Sequence, residues 1–295
     1  MQIHQTDPGT LLYVDGHSLK AKHGNGNPSL IAGAEYISGY REGIGLWARF
    51  EFITSFVQLD RDKIVAVDRH NSCLRLISLN QTRTWQYSGI CKDGGGFLTK
   101  RYGEPNGIIK DNQRLDILLV TDEAQHAILE LHTESKKITT FYQNNVMSAF
   151  WPKMIVQHSL TGDLYLTVQS MIYRINYSSR QLRYIAGGST MGFADGSFPK
   201  ARFNHPTGIL LVDEGKTILV ADQPNGSVRK LYTDDQTTRT ICRKKYGRAF
   251  GGPAVCGLDN PYSLLVNGTD LLIGEHQRIR SEERRVGKEC RSRWS

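Results

Sequence analysis

The sequence predicts an all-β chain folded as a β-propeller of four-stranded antiparallel blades, six-bladed with incomplete first and last blades. Three observations predict it. The stretch FNHPTGILLVDEGKTILVADQPNGSVRKLY, Phe203 to Tyr232, alternates apolar runs with turn residues and recurs along the chain at a nearly fixed period. The connectors between the copies repeat independently of the runs. Nothing in the 295 residues keeps a helical apolar period over a dozen positions.

The copies align on Thr54, Pro105, Pro152, Pro206 and Pro261, spaced by 51, 47, 54 and 55 residues. The connector GYREGIGLWARF, Gly39 to Phe50, matches GFADGSFPKARF, Gly192 to Phe203, at an offset of 153, three periods of 51, and DGGGFLTKRY from Asp93 is a looser copy. Within the unit quoted above, Gly208–Val212, 217–221, Ser227–Tyr232 and 237–242 read as strands separated by Gly, Asn, Asp and Pro. One such sheet cannot bury both faces alone, so the copies must stack, and radial closure leaves only short edges. The blades fall at 9–35 (partial, its last three strands), 52–91, 105–143, 152–187, 206–242 and 261–279 (partial), making 1–279 one propeller.

Residues 280–295, RSEERRVGKECRSRWS, break this texture and resemble a translated sequencing adapter, a non-native tail set apart from the fold. They hold six basic residues against three Glu, a net +3, so the formal charge of +8 falls to +5 without them. No run approaches 18 apolar residues, so no membrane span is expected. The start, MQIHQTDPGT, has no basic and apolar leader, and a secretory signal is expected to have been lost by truncation.

The blade HPTGILLVDEGKTILVADQPNGSVRKL resembles an NHL repeat, with its Pro-Gly-Ile start, Asp-bearing first hairpin and VAD..N second strand. The resemblance extends over roughly Gly9 to Ile279. It is weakest at Phe150, where Gln169 replaces the expected Asp and no Gly follows Pro152. It implies a propeller of the extracellular, cysteine-containing NHL type, with its inter-blade connectors on one face.

An acid closes the second strand of successive copies, at Asp15, Asp68, Asp122, Asp222 and Glu275. Catalysis needs unlike groups in unlike environments, so a repeated acid reads as structural, its oxygens tying down amides of the following turn. His17, His70, His126 and His276 share those turns, but no metal-ligand spacing accompanies them and no metal or other cofactor is expected. Cys73 with Cys91 and Cys242 with Cys256 read as disulfides, which form in an oxidising compartment, extracellular or lumenal. Asn80, Asn176, Asn225 and Asn267 open Asn-x-Ser/Thr triplets in predicted turns, as glycosylation sites would.

Positive charge gathers in the connectors, at Arg41, Lys92, Lys100, Arg101, Lys200, Arg202, Arg243, Lys244, Lys245 and Arg248, a candidate ligand-binding face. No nucleophile elbow, phosphate loop, zinc helix or dinucleotide fingerprint is present, and no catalytic residue is assigned. The leading expectation is therefore a noncatalytic extracellular interaction module that binds a protein or glycan. The first alternative is an RNA-binding propeller of the tripartite-motif kind, for which Tyr40, Tyr102 and Tyr246 are stacking candidates. A metal-assisted propeller enzyme, an amidating lyase or lactonase, is the second.

Overall fold

The computed structural model describes residues 3–7, 9–91, 102–146, 150–243, 258–275, 278–283 and 291–292. They form six antiparallel sheets, each built on an up-and-down meander of four strands in chain order, two of them extended by a two-residue connector strand, the arrangement of a six-bladed β-propeller. The second sheet comprises Ile53–Gln58, Lys63–Asp68, Cys73–Ser78 and Arg83–Gly89. The third comprises Pro105–Lys110, Ile117–Asp122, Ala127–His132 and Ile138–Gln143, and the fourth Pro152–Gln157, Leu164–Val168, Met171–Ile175 and Leu182–Gly187. The fifth holds Gly208–Val212, Thr217–Asp222, Ser227–Tyr232 and Thr237–Arg243. The chain divides into two compact units, Met1–Lys153 and Met154–Ser295, the boundary falling inside the first strand of the fourth sheet.

Both terminal sheets also carry four strands, which corrects the expectation of incomplete blades. Ile3–Asp7 precedes Thr10–Asp15, Ser18–His23 and Ser29–Gly33 in the first sheet. In the sixth, Arg278–Glu283 and Arg291–Ser292 join Ser263–Asn267 and Asp270–Glu275, so residues from the segment set aside as a tail are paired here. Sheet pairing is a backbone property, and an edge strand needs little apolar sequence to supply it. That is why the polar stretches IHQTD and RIRSEE gave no strand signal.

The second strands explain the apolar runs that mark each repeat. In KIVAVD, Ile64 and Ala66 pack with the first sheet's Leu12, Val14 and Leu19, while Val65 and Val67 pack with the third sheet's Ile108, Leu118 and Val120. In TILVAD, Ile218 and Val220 join the fourth sheet's Tyr165 and Ile172, and Leu219 and Ala221 join the sixth sheet's Leu264 and Ile273. Successive side chains point to opposite faces, so a strand buried on both must be apolar throughout. Each Leu or Ile fully buried this way contributes about 1.5–3 kcal/mol.

Antiparallel pairing puts three features at one end of every sheet: the start of its first strand, the turn between its second and third strands, and the end of its fourth. This is the connector end. In the first, second and fourth sheets the last strand leaves there through a glycine at positive φ, Gly33, Gly89 or Gly187. Gly89 (φ +88°) and Gly187 (φ +112°) lie beneath the next connector's aromatic, Tyr102 or Phe203. A Cβ on Gly187 would sit 2.4 Å from the Ser170 carbonyl oxygen, and one on Gly89 2.7 Å from the Tyr102 ring.

Candidate functional site

The two connectors that match in sequence are the same object in space. In the first, Gly43–Ile44 pairs with Thr84 and Arg83 of the second sheet's last strand; in the other, Gly196–Ser197 pairs with Thr238 and Thr237 of the fifth. Gly39 N–H donates to Phe50 O at 3.2 Å, and Gly192 N–H to Phe203 O at 3.0 Å. Bridges Arg41–Arg49 and Ala194–Arg202 follow, and then Gly45 N–H to Thr82 O and Phe198 N–H to Gln236 O, both 2.8 Å.

A buried arginine beneath each loop collects its carbonyls. Arg75 donates to Arg49 O (3.1 Å), Arg41 O (3.0 Å) and Asp68 Oδ2 (3.2 Å). Arg229, 154 residues on, donates to Arg202 O (3.0 Å), Ala194 O (2.6 Å) and Asp222 Oδ2 (2.9 Å). Both guanidiniums are fully buried and sandwiched by rings, Tyr40 and Phe50 for the first, Phe193 and Phe203 for the second. Asn71 and Asn225 complete each set by donating to Gly39 O or Gly192 O and to the same Asp. Burial pushes the Asp68 and Asp222 carboxyls upward, opposed by those amides and by the facing arginine. In the sequence these arginines do not stand out, being ordinary basic residues of third strands.

With the same scaffold, the two loops present different chemistry. The first exposes Tyr36 (86%), Ile37 (55%), Ile44 (55%), Leu46 (65%) and Trp47 (64%). The corresponding positions of the second are Ser189, Thr190, Ser197, Pro199 and Lys200, with Met191 its one large exposed apolar side chain among the described residues. Holding the loop does not require the apolar set. Arg41 is exposed and lies 5.3 Å over the Trp47 ring, and no carboxylate pairs with it among the described residues.

The basic residues expected on this face divide by role. Arg41 and Lys200 are exposed, whereas the Arg202 guanidinium is tied to Gly187 O, Pro199 O and Ala201 O. Arg243 is half-buried over Phe193 at 4.2 Å. Lys92, Lys100, Arg101, Lys244, Lys245, Arg248 and Tyr246 lie outside the described residues. Tyr102 is fully buried, its hydroxyl on Ser88 Oγ at 3.2 Å, so it is a core residue and not a stacking platform. Tyr40 is half-buried against Arg75.

A second charged cluster, drawn from three repeats, also lies at the connector end of the first unit. Arg69 donates to Glu123 (2.7 Å) and Glu104 (3.1 Å), and Asn106 Nδ2 donates to the other Glu123 oxygen at 2.7 Å. Burial pushes the Glu123 carboxyl up, against the pull of Arg69 and Lys153. Burial likewise pushes the Lys153 ammonium down, against the pull of Glu123. Its charged members Arg69, Glu104, Glu123 and Lys153 stand 35, 19 and 30 residues apart in sequence, too far for a spacing signal.

The repeated acids do hold amides, but chiefly those of the connector entering their own blade. Asp68 accepts from Glu51 and Phe52 N–H, Asp122 from Gly103 and Glu104, Asp222 from Asn204, and Glu275 from Asp259. Asp122 also takes Gln125 in the following turn, and Asp15 pairs with Lys20. The end of a second strand abuts the start of its antiparallel neighbour, which puts these amides within reach. The histidines pack locally: His70 stacks on Phe52, His17 meets its edge, and His126 hydrogen-bonds Phe150 O at 2.8 Å; His276 lies outside the described residues. Among the described residues no group of three His, Cys, Asp or Glu is placed to hold a metal.

Cys73 and Cys91 form a disulfide, Cα atoms 5.2 Å apart. Cys242 is disulfide-bonded as well, and its expected partner Cys256 lies outside the described residues. No helix among the described residues is long and apolar enough to cross a membrane.

No known family's sequence profile matches the chain, and no curated protein sequence does. Solved structures do. An auxiliary nutrient binding protein from Bacteroides ovatus superposes with a TM-score of 0.72 at 14% identity, over 96% of this chain and 69% of that one. The nidogen/laminin complex gives 0.64 at 11% identity, over 93% and 89%. Catalytically inactive virginiamycin B lyase from Staphylococcus aureus, with quinupristin, gives 0.60 at 11% identity, over 99% and 82%. At such identities the likeness carries the β-propeller fold and leaves ligand and chemistry open.

Proposed function

We propose that this chain is a noncatalytic extracellular interaction module of NHL type, which engages a protein partner through the first connector loop, Tyr36 to Trp47. The observation that carries the reading is the contrast between the two loops. One framework of hydrogen bonds and buried arginine supports both, so the exposed Tyr36, Ile37, Ile44, Leu46 and Trp47 are not explained by folding. Contiguous exposed apolar side chains rimmed by polar ones mark interaction surfaces, and Trp, Tyr and Arg are the residues most often found at their energetic centres. Arg41, exposed on Trp47 without a carboxylate partner among the described residues, favours a partner that offers an acidic group beside apolar ones. The Cys73–Cys91 bridge supports an oxidising compartment.

RNA binding is disfavoured by the burial of Tyr102 and the stacking of Tyr40 on Arg75, which remove two of its three aromatic platforms. The test is to screen immobilised protein against purified extracellular proteins, with Trp47→Asp and Lys200→Asp variants side by side. The reading expects ligands that are lost with Trp47→Asp and kept with Lys200→Asp. Ligands indifferent to Trp47, or nucleic acid captured in preference to protein, would count against it.

A further inference from the structure

The four Asn-x-Ser/Thr triplets meet very different surroundings. We propose that Asn80 and Asn267 carry N-linked glycans and that Asn225 stays bare. The inference rests on the extracellular reading above.

Asn80 lies in the turn between the third and fourth strands of the second sheet, and Asn267 ends the first strand of the sixth, just before the turn to the second. Both positions are at the end of the sheet opposite the start of its first strand, and in the second sheet the tip of the connector reaches the same turn, Gly45 N–H donating to Thr82 O at 2.8 Å. Both Asn residues are exposed, and neither side-chain amide has a hydrogen-bond partner among the described residues. Their backbones are nonetheless well held. Asp62 accepts the Asn80 N–H at 2.7 Å and the Ser78 hydroxyl, and Asn267 pairs in register with Asp270. An ordered turn with a free, outward amide accommodates a bulky solvated substituent without loss of native contacts.

Asn225 is the reverse case. It sits at the connector end, half-buried, and both amide hydrogens are used, toward Gly192 O and Asp222 Oδ2, each at 2.8 Å. A sugar on Nδ2 replaces one of them and brings a polar ring into the seat of the buried Arg229–Asp222 pair. Asn71 makes the same two bonds in the second sheet at 3.0 and 2.8 Å, yet is followed by Ser72 and Cys73 and forms no Asn-x-Ser/Thr triplet. The shared role is thus structural, and the triplet at Asn225 is incidental to it. Asn176 is half-buried with its amide on Asp163 and its oxygen on Ser179, and the proposal does not extend to it.

In the transfer, Nδ2 forms a C–N bond to the anomeric carbon of an oligosaccharide carried on a lipid pyrophosphate. The anomeric C–O bond breaks, the lipid pyrophosphate leaves with its electrons, and the amide proton passes to a base of the transferase.

The test uses the full chain secreted from a eukaryotic host behind a heterologous leader, with glycans released by amidase in heavy-oxygen water and peptides mapped by mass. Labelled Asp is expected at Asn80 and Asn267 and none at Asn225, and Asn80→Gln and Asn267→Gln each remove one glycan-sized step in gel migration. A bare Asn80, a bare Asn267 or label at Asn225 overturns the proposal. Cysteine mapping of the same sample judges the compartment separately: Cys73 and Cys91 alkylating without reduction would defeat the extracellular reading whatever the glycan pattern.

Discussion

Replacing Arg229 by Met keeps an unbranched side chain but removes the guanidinium, and leaves Asp222 fully buried without its cation. The variant loses hydrogen bonds to Arg202 O, Ala194 O, Asp222 and Asp195, and the stacking on Phe193 and Phe203. Removing one partner of a buried pair costs about 3–5 kcal/mol. At roughly 2–4 °C per kcal/mol for chains of this order of size, Tm should fall by at least about 6 °C. Circular dichroism melting reads this directly. Arg75→Met should fall by a similar amount, because its two carbonyls and its buried carboxylate are the same partners displaced by three repeats. Arg229→Lys should fail to rescue, since an ammonium cannot fork between two loop carbonyls and a carboxylate. Adding Asp222→Asn to Arg229→Met should recover part of the loss by removing the stranded charge. The reasoning is refuted if Arg229→Met melts within about 2 °C of the parent, or if Arg229→Lys matches it.

Three further outcomes are expected. Removing the Cys73–Cys91 bridge by a double Ala substitution opens a loop of 18 residues, and urea unfolding should show a loss of about 3 kcal/mol. Gly187→Ala places a Cβ against the Ser170 carbonyl at φ +112° and should cost more than about 2 kcal/mol, whereas Gly196→Ala, at φ +122° in open space, should cost visibly less in the same titration. Glu123, raised by burial above its ordinary 4.5, binds its proton more tightly in the folded than in the unfolded state. Its contribution to stability therefore falls as pH rises from 4.5 through the raised value, and Glu123→Gln should flatten that part of the stability–pH curve; an unchanged slope would show that Glu123 titrates normally.

Much of the fold was legible because two periodic signals agreed. Runs such as KIVAVD and TILVAD are apolar throughout because both faces of a second strand are covered, and the connector copies kept register with them. The bridge between Cys73 and Cys91 was readable from hairpin register, since a third strand and the strand after it return to the same place. The terminal strands were less visible, because pairing at a sheet edge makes little demand on composition. The chemistry of the connector end was largely hidden. Whether Arg202 reaches outward or caps loop carbonyls, and whether Tyr102 stacks on a ligand or fills the core, depends on side-chain direction, which composition does not encode.

Sequence alone thus determined the repeat, its all-β blades and the cysteine that faces Cys73, since each follows from local spacing and backbone pairing. Only the tertiary structure decided which polar groups are structural and which are offered to solvent. Arg75, Asp68 and Asn71 converge on one loop from three positions of a hairpin, and Arg69 meets Glu123 and Asn106 from the neighbouring repeat. Burial of charge is tolerated only where such convergence supplies partners, and convergence exists only after the chain has folded.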